Sequence, residues 1–147
     1  MDGRMSPHQK INPEGLAPGV GFSHVVVTEP GKTLYLGGQT AQLPDGSIGP
    51  DDLVEQFDLS LKNLVLALNA AGAGPEHLVS LQVFVTDAAE YTARLKELGK
   101  VWKKHFAKHY PAMALFEIKR LYDPRAKIEL MPIAVLPLSA SSTSESS

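Results

Sequence analysis

The chain has 147 residues, a formal net charge of −2 and no cysteine. That excludes disulfides, thiolate zinc sites and a cysteine nucleophile, and it fits a reducing compartment. With 44% hydrophobic and 20% charged residues, it reads as one soluble globular domain long enough to bury a core. The near-neutral balance gives nucleic acid or an acidic membrane no bulk electrostatic reason to bind. No apolar run reaches the ~18 residues of a membrane span, and "MDGRMSPHQK" has no hydrophobic signal core. The expectation is a cytoplasmic protein.

Residues 1–15 are rich in Pro, Gly and polar groups and are expected to form a flexible N-terminal segment, with a single domain over 16–138. Two short β-type runs follow, His24–Thr28 and Thr33–Leu36. The turn chemistry of "EPGK" between them predicts a hairpin. Asp45-Gly46 marks another turn. "DDLVEQFDLSLKNLVLALNAAGAG" predicts a helix. Asp51 or Asp52 can cap it, and Leu53, Phe57, Leu61, Leu64, Val65 and Leu68 form its apolar face. Gly72 or Gly74 ends it before Pro75.

"HLVSLQVFVT" is a continuous apolar strand. A second helix starts at Asp87, where Asp87 and Glu90 have capping-box spacing. Its stripe is Tyr91, Leu95, Leu98, Trp102 and Phe106, and Pro111 closes the segment. Strands over Met113–Leu121 and Lys127–Leu136 complete a β-β-α-β-α-β-β order. In the first of these, alternation sets Met113, Leu115 and Glu117 on one side, and Ala114, Phe116 and Ile118 on the other. Residues 139–147 are Ser-rich and are expected to be a disordered tail. Two amphipathic helices cannot cover both faces of such a sheet, so an α+β two-layer arrangement is predicted. The apolar residues of the strands (Val25, Val27, Leu34, Leu36, Val83, Val85, Leu115, Leu130 and Ile133) then call for a subunit partner on the open face.

"YLGGQTA", "AAGAG", "LVSLQVFVTD", "HYPAM" and "KIELMPIAV", taken in this order and spacing over residues 16–137, resemble the Rid family, the YjgF-like reactive-intermediate deaminases also labelled endoribonuclease L-PSP. The resemblance implies a chorismate-mutase-like fold and a homotrimer with small-molecule clefts between subunits. It also implies hydrolysis of enamines and imines such as 2-aminoacrylate, with no metal or organic cofactor.

Active members carry an arginine after the "PA" that opens the penultimate strand. Its guanidinium can hold a substrate carboxylate in a two-pronged contact. Here Met113 stands at that position. Some Rid subfamilies lack the arginine. An acidic residue of the last strand pairs with Met131, and Glu129 lies two residues away on the same side. A tyrosine of the first strand's approach pairs with Phe22, and an asparagine of the second helix pairs with Gly99. Gly37, Gly38 and Gln39 keep the backbone that lines the cleft in the family. Lys119 lies six residues beyond Met113, roughly 20 Å along at about 3.3 Å per residue, too far to replace the arginine.

Met113, Leu115 and Met131 are therefore expected to line a soft apolar pocket with Phe22; their alternative role is to fill a subunit interface. Glu129 is the candidate general base, with Glu117 behind it. Ser23 and His24 point to opposite faces, which argues against a nucleophile–base pair. His105 and His109 have the i,i+4 spacing of a metal pair, but Pro111 ends the helix near His109, so no metal site is assigned. The basic run "KELGKVWKKHFAKH" reads as a solvated helix face over buried Trp102 and Phe106 rather than as an RNA surface. Two function classes stand: a divergent deaminase that works without the arginine, and a non-catalytic small-molecule binding or regulatory trimer.

Overall fold

The computed structural model describes residues 5–138; the expected Ser-rich tail lies outside them. The elements in chain order are β1 (Gln9–Ile11), β2 (Val25–Val27), β3 (Gly31–Tyr35), α1 (Leu53–Ala70), β4 (Leu78–Val85), α2 (Ala88–Ala93), α3 (Leu95–Phe106), β5 (Ala112–Glu117) and β6 (Ile128–Pro137). The main sheet has the order β3-β6-β4-β5. The β4–β5 pair is parallel and the other two are antiparallel. The α+β two-layer class stands, with α1 and α3 against one face.

The expected hairpin between the second and third strands does not form. β2 pairs antiparallel with β1, Lys10 opposite Val26, while β3 pairs with β6. Part of the segment ahead of residue 16 takes strand form. It supplies β1, and His8 is buried, with Nε2 2.8 Å from Val135 O while Nδ1 accepts from Glu29 N. A turn signal reports a change of chain direction. It does not choose a strand's partner, and here the last strand wins that pairing.

α1 forms where its periodicity predicts. The Asp52 carboxylate accepts from Val54 N and Glu55 N at 3.1 and 3.2 Å, and Gly72 ends the turn at φ +81°, a conformation open to glycine. Leu53, Phe57, Leu61, Leu64 and Leu68 are buried against Leu81, Val83, Ile128 and Leu130 of the sheet. The second helix is two pieces. Arg94 leaves helical geometry at φ −116°, ψ 19° and reaches Asp52 at 3.2 Å and Glu97 at 2.7 Å. The capping box is only half present: Asp87 accepts from Glu90 N, but the Glu90 carboxylate turns to Lys127 Nζ.

Register assigns the strand residues to faces. Leu81, Met113 and Pro132 are cross-strand partners, as are Val83, Leu115 and Leu130. Directly paired residues share a face, so these point to the helices. Gln82, Ala114 and Met131 form the neighbouring row on the open face, followed by Phe84, Phe116 and Glu129. Of the strand apolar set expected to need a partner, Val83, Val85 and Leu130 are buried core and Leu34 and Leu36 pack against it, while Val25, Val27 and Leu115 stay exposed. What the open face presents is Tyr35, Met131 and Phe116, at 82%, 45% and 43% exposure, with Phe84 stacked on Phe116 at 5.4 Å.

Two buried polar side chains hold the loops. Gln56, fully buried, donates to Pro50 O and Arg125 O and accepts from Lys127 N. Gln56→Leu strands three backbone groups and should cost about 2–4 kcal/mol in urea unfolding. His109 lies past α3. Its Nε2 donates to Leu78 O at 2.7 Å, and its backbone carbonyl accepts from Trp102 Nε1. Burial, aided by the Lys10 charge, pushes its pKa down from 6.5 to about 4. The unfolded chain therefore binds a proton that the native chain refuses between those values. Stability should be full above about pH 6.5 and fall as the pH drops towards 4, by on the order of 3 kcal/mol. Urea midpoints across that window should flatten in His109→Gln.

Candidate functional site

Ser23 is the pin that builds the cleft. Its amide donates to Pro111 O at 2.9 Å and its hydroxyl to Tyr110 O at 2.6 Å, so residues 20–23 lie along the start of β5. His24 faces away, its ring edge-on to Phe22 at 5.0 Å and its Nε2 2.7 Å from Ala17 O. The Ser23 hydroxyl and the His24 ring thus have separate backbone partners.

Between this segment, α2, α3 and β5 lies a cleft of about 550 Å³. Met113, Leu115 and Val83 come from the sheet, Tyr91 and Trp102 from the helices, and Phe22 from the pinned segment. Trp102 stacks on Phe106 at 4.4 Å and on Tyr110 at 6.2 Å. Among the described residues, no Lys, Arg, Asp, Glu or His lines the cleft. Its polar atoms are chiefly the hydroxyls of Tyr91 and Tyr110, since the indole N–H is committed to His109 O. Burial pushes the Tyr91 phenol up, so it stays protonated at neutral pH. Gly99 faces the cleft, and a Cβ built on it meets nothing within 4 Å.

The remaining predicted residues are elsewhere. Met131 and Glu129 are on the open face, one layer away from Met113, so the single pocket expected for Met113, Leu115, Met131 and Phe22 does not exist within one chain. Alternation relates residues within a strand and does not say how two strands are phased. Glu129 sits instead against the backbone of Gly38, where a Cβ would collide with its carboxylate. Gln39 exchanges two 2.8 Å hydrogen bonds with Leu130, and its side-chain amide donates to Gly37 O at 3.2 Å. That bridge fixes Gly37, Gly38 and Gln39 beside β6.

Glu117 has structural employment: its carboxylate accepts from Ala88 N at 2.9 Å, capping α2. His105 pairs with Asp58 at 2.6 Å while His109 binds Leu78 O, so the two rings do not converge. No cluster of three or more His, Asp or Glu forms among the described residues. Sequence reasoning missed Tyr91 as a cleft residue and assigned it to the core stripe. Its spacing with Leu95 and Leu98 is that of a core stripe, and in the structure all three line the cleft.

The sequence model of the family described as Endoribonuclease L-PSP matches residues 13–136. The chain belongs to the Rid family. Its likeness to YyfB of Yersinia pestis, a Rid family protein of unknown function, is 32% identity with a TM-score of 0.80, covering 88% of this chain and 98% of that one. The Escherichia coli TdcF structure with bound serine is 26% identical at a TM-score of 0.63, covering 85% and 93%. The 2-iminobutanoate/2-iminopropanoate deaminase of Mus musculus is 30% identical over 106 residues, 71% of this chain and 74% of that protein. These neighbours agree with the chorismate-mutase-like Rid fold.

Gly99 gives a direct probe of the cleft. Gly99→Leu should raise stability by about 0.5–1 kcal/mol, because glycine is a poor helix residue. It should also reduce binding of an apolar fluorescent dye, read against quenching of Trp102, the single tryptophan of the chain. A variant that gains stability and binds dye unchanged would place the dye outside the cleft.

Proposed function

We propose that this is a divergent Rid protein whose cleft takes a small uncharged or weakly polar nitrogen compound, an enamine or imine, without the arginine-dependent mechanism. One observation carries this reading. Met113 occupies the apolar cleft wall, at the position that resembles the family's arginine, and among the described residues no cation lines the cleft around it. A carboxylate there would be desolvated against a thioether, an uncompensated charge costing several kcal/mol. The names of the mouse deaminase and of serine-bound TdcF support a small amine- or imine-bearing ligand class. The charge inventory of this cleft argues that its version lacks the acid group.

The reading includes a homotrimer. The open face presents Tyr35, Met131 and Phe116, and the cleft and Glu129 occupy opposite faces of one sheet, so a site that uses both needs a second copy. Across such an interface Glu129 acts as the base. It takes a proton from water as the oxygen adds to the imine carbon and hands that proton to the nitrogen. The hydroxyl proton of the carbinolamine then passes to the same nitrogen as the C–N bond breaks, ammonia leaves and a carbonyl product remains. Light scattering that shows a monomer at micromolar concentration would sink the assembly and this role for Glu129 together.

The test of the chemistry is removal of 2-aminoacrylate. Wild-type protein should give no more than a trace of the rate of arginine-bearing relatives, a loss of several orders of magnitude at about 1.4 kcal/mol per factor of ten. Met113→Arg should recover part of it and no more, since Phe22 and Gly99 also lack polar groups and such neighbours couple. Rapid wild-type turnover would show that a cation outside the cleft does the arginine's work, with Lys119 and Arg120 the first to mutate. The second reading, a binding or regulatory trimer, is favoured by the absence of any cleft-lining acid or base other than the two tyrosines. It predicts saturable quenching of Trp102 by neutral cyclic imines, with no hydrolysis.

A further inference from the structure

A second cavity, of about 290 Å³, adjoins the 109–110 peptide, where Tyr110 lines the cleft and His109 lines this cavity. Ser6, His8 and Lys10 come from β1 and its approach, and Lys108 and His109 from the turn after α3. Among the described residues no carboxylate lines it. The two histidines differ in how their rings are used. His8 has both nitrogens engaged, at Val135 O and Glu29 N. His109 is 4% exposed, and its Nε2–H is committed to Leu78 O, yet its Nδ1 is buried with no hydrogen-bond partner. Lys10, half-buried, makes no ion pair among the described residues.

A buried acceptor beside uncompensated ammonium groups asks for a ligand that is an anion and a proton donor at once. Sulfate and a carboxylate lack the proton at neutral pH, while hydrogen phosphate and its monoesters can carry it. We propose that this cavity binds a phosphate group that keeps one proton, its P–O–H donating to His109 Nδ1 and its other oxygens accepting from the ammonium groups of Lys10 and Lys108. The charged and titratable groups around the imidazole are Lys10 and His8 from the β1 side, Glu76 from the turn before β4, and Lys108 on its own turn. Burial and Lys10 hold the empty imidazole neutral, and Glu76 opposes them weakly. The bound anion offsets the Lys10 charge. Whether the shared proton rests on phosphate or on Nδ1, the complex holds one proton more than the free dianion and neutral ring. Binding therefore tightens as the pH falls towards the second phosphate pKa, about 6 for a monoester.

The experiment is a titration of the full chain with inorganic phosphate, followed by the imidazole NMR signals of His109, with sulfate and glycerol 2-phosphate as parallel arms. The expected result is a saturable shift at His109 and a rise in its pKa, with sulfate weaker at pH 7. The variant Lys10→Ala should weaken binding about tenfold while circular dichroism stays unchanged. Binding of the monoester as well as the free ion supports an open-mouthed phosphate site, and binding of the free ion alone supports a closed one. No saturable shift, equal shifts with sulfate, or an unchanged affinity in Lys10→Ala would overturn the proposal and leave a buried water as the partner of Nδ1. None of these outcomes depends on what the cleft binds.

Discussion

Because β5 pairs in parallel with β4, Leu81 opposite Met113, every second residue from Met113 to Glu117 turns towards the helices. A one-residue slip would exchange the two faces, putting Ala114 and Phe116 into the cleft and Met113 on the open surface. The register is held at both ends. At the start, Pro111 and Tyr110 carbonyls are taken by Ser23. At the end, Ile118 N donates to Val85 O, and the Glu117 carboxylate caps α2 through Ala88 N. The same two anchors fix the cleft's boundaries, since Ser23 brings Phe22 to one rim and the α2 cap brings Tyr91 to the other. Cleft shape and strand register are thus one constraint.

The chemistry of the cleft follows from what those anchors consume. The backbone groups of 110–112 are paired with residue 23 and with β4, and the indole N–H is paired with His109 O. What stays open to a ligand is aromatic and thioether surface with two phenol hydroxyls. Such a surface rewards apolar area and shape, and it orients a ligand through few hydrogen bonds. Among the described residues it gives no fixed positive charge to offset the desolvation of a carboxylate.

Much of this was legible in the sequence, unevenly and for physical reasons. α1, its Asp52 cap and its glycine stop are local and periodic, so seven residues or so of context suffice to find them. β4 and β6 carry long apolar runs that only buried strands sustain. β1 is three residues in a Pro- and Gly-rich stretch and has no periodicity to show; its strand state exists because β2 lies beside it. The break at Arg94 carries no Gly or Pro. It depends on Asp52, 42 residues earlier, and on Glu97 holding the guanidinium. Of the site residues, Phe22, Met113 and Leu115 do meet in one cleft. Within one chain Met131 lies on the other face, because strand phase is set by cross-strand hydrogen bonds, which no period of two encodes. The family resemblance names positions along the chain and does not say which side of the sheet each one occupies.

That separation has a consequence for Glu129. Its carboxylate lies over Gly38, where the missing Cβ lets it approach the chain, and the Gln39–Leu130 bridge holds that approach in place. Any larger residue at 38 would drive the carboxylate off, so the glycine there is a matter of space rather than of backbone angle. In one chain this carboxylate faces away from Met113 across the thickness of the sheet. No side-chain rotation brings the two together, because the barrier is the sheet itself. Chemistry that combines the apolar cleft with the Glu129 carboxylate is therefore a property of an assembly and not of a protomer.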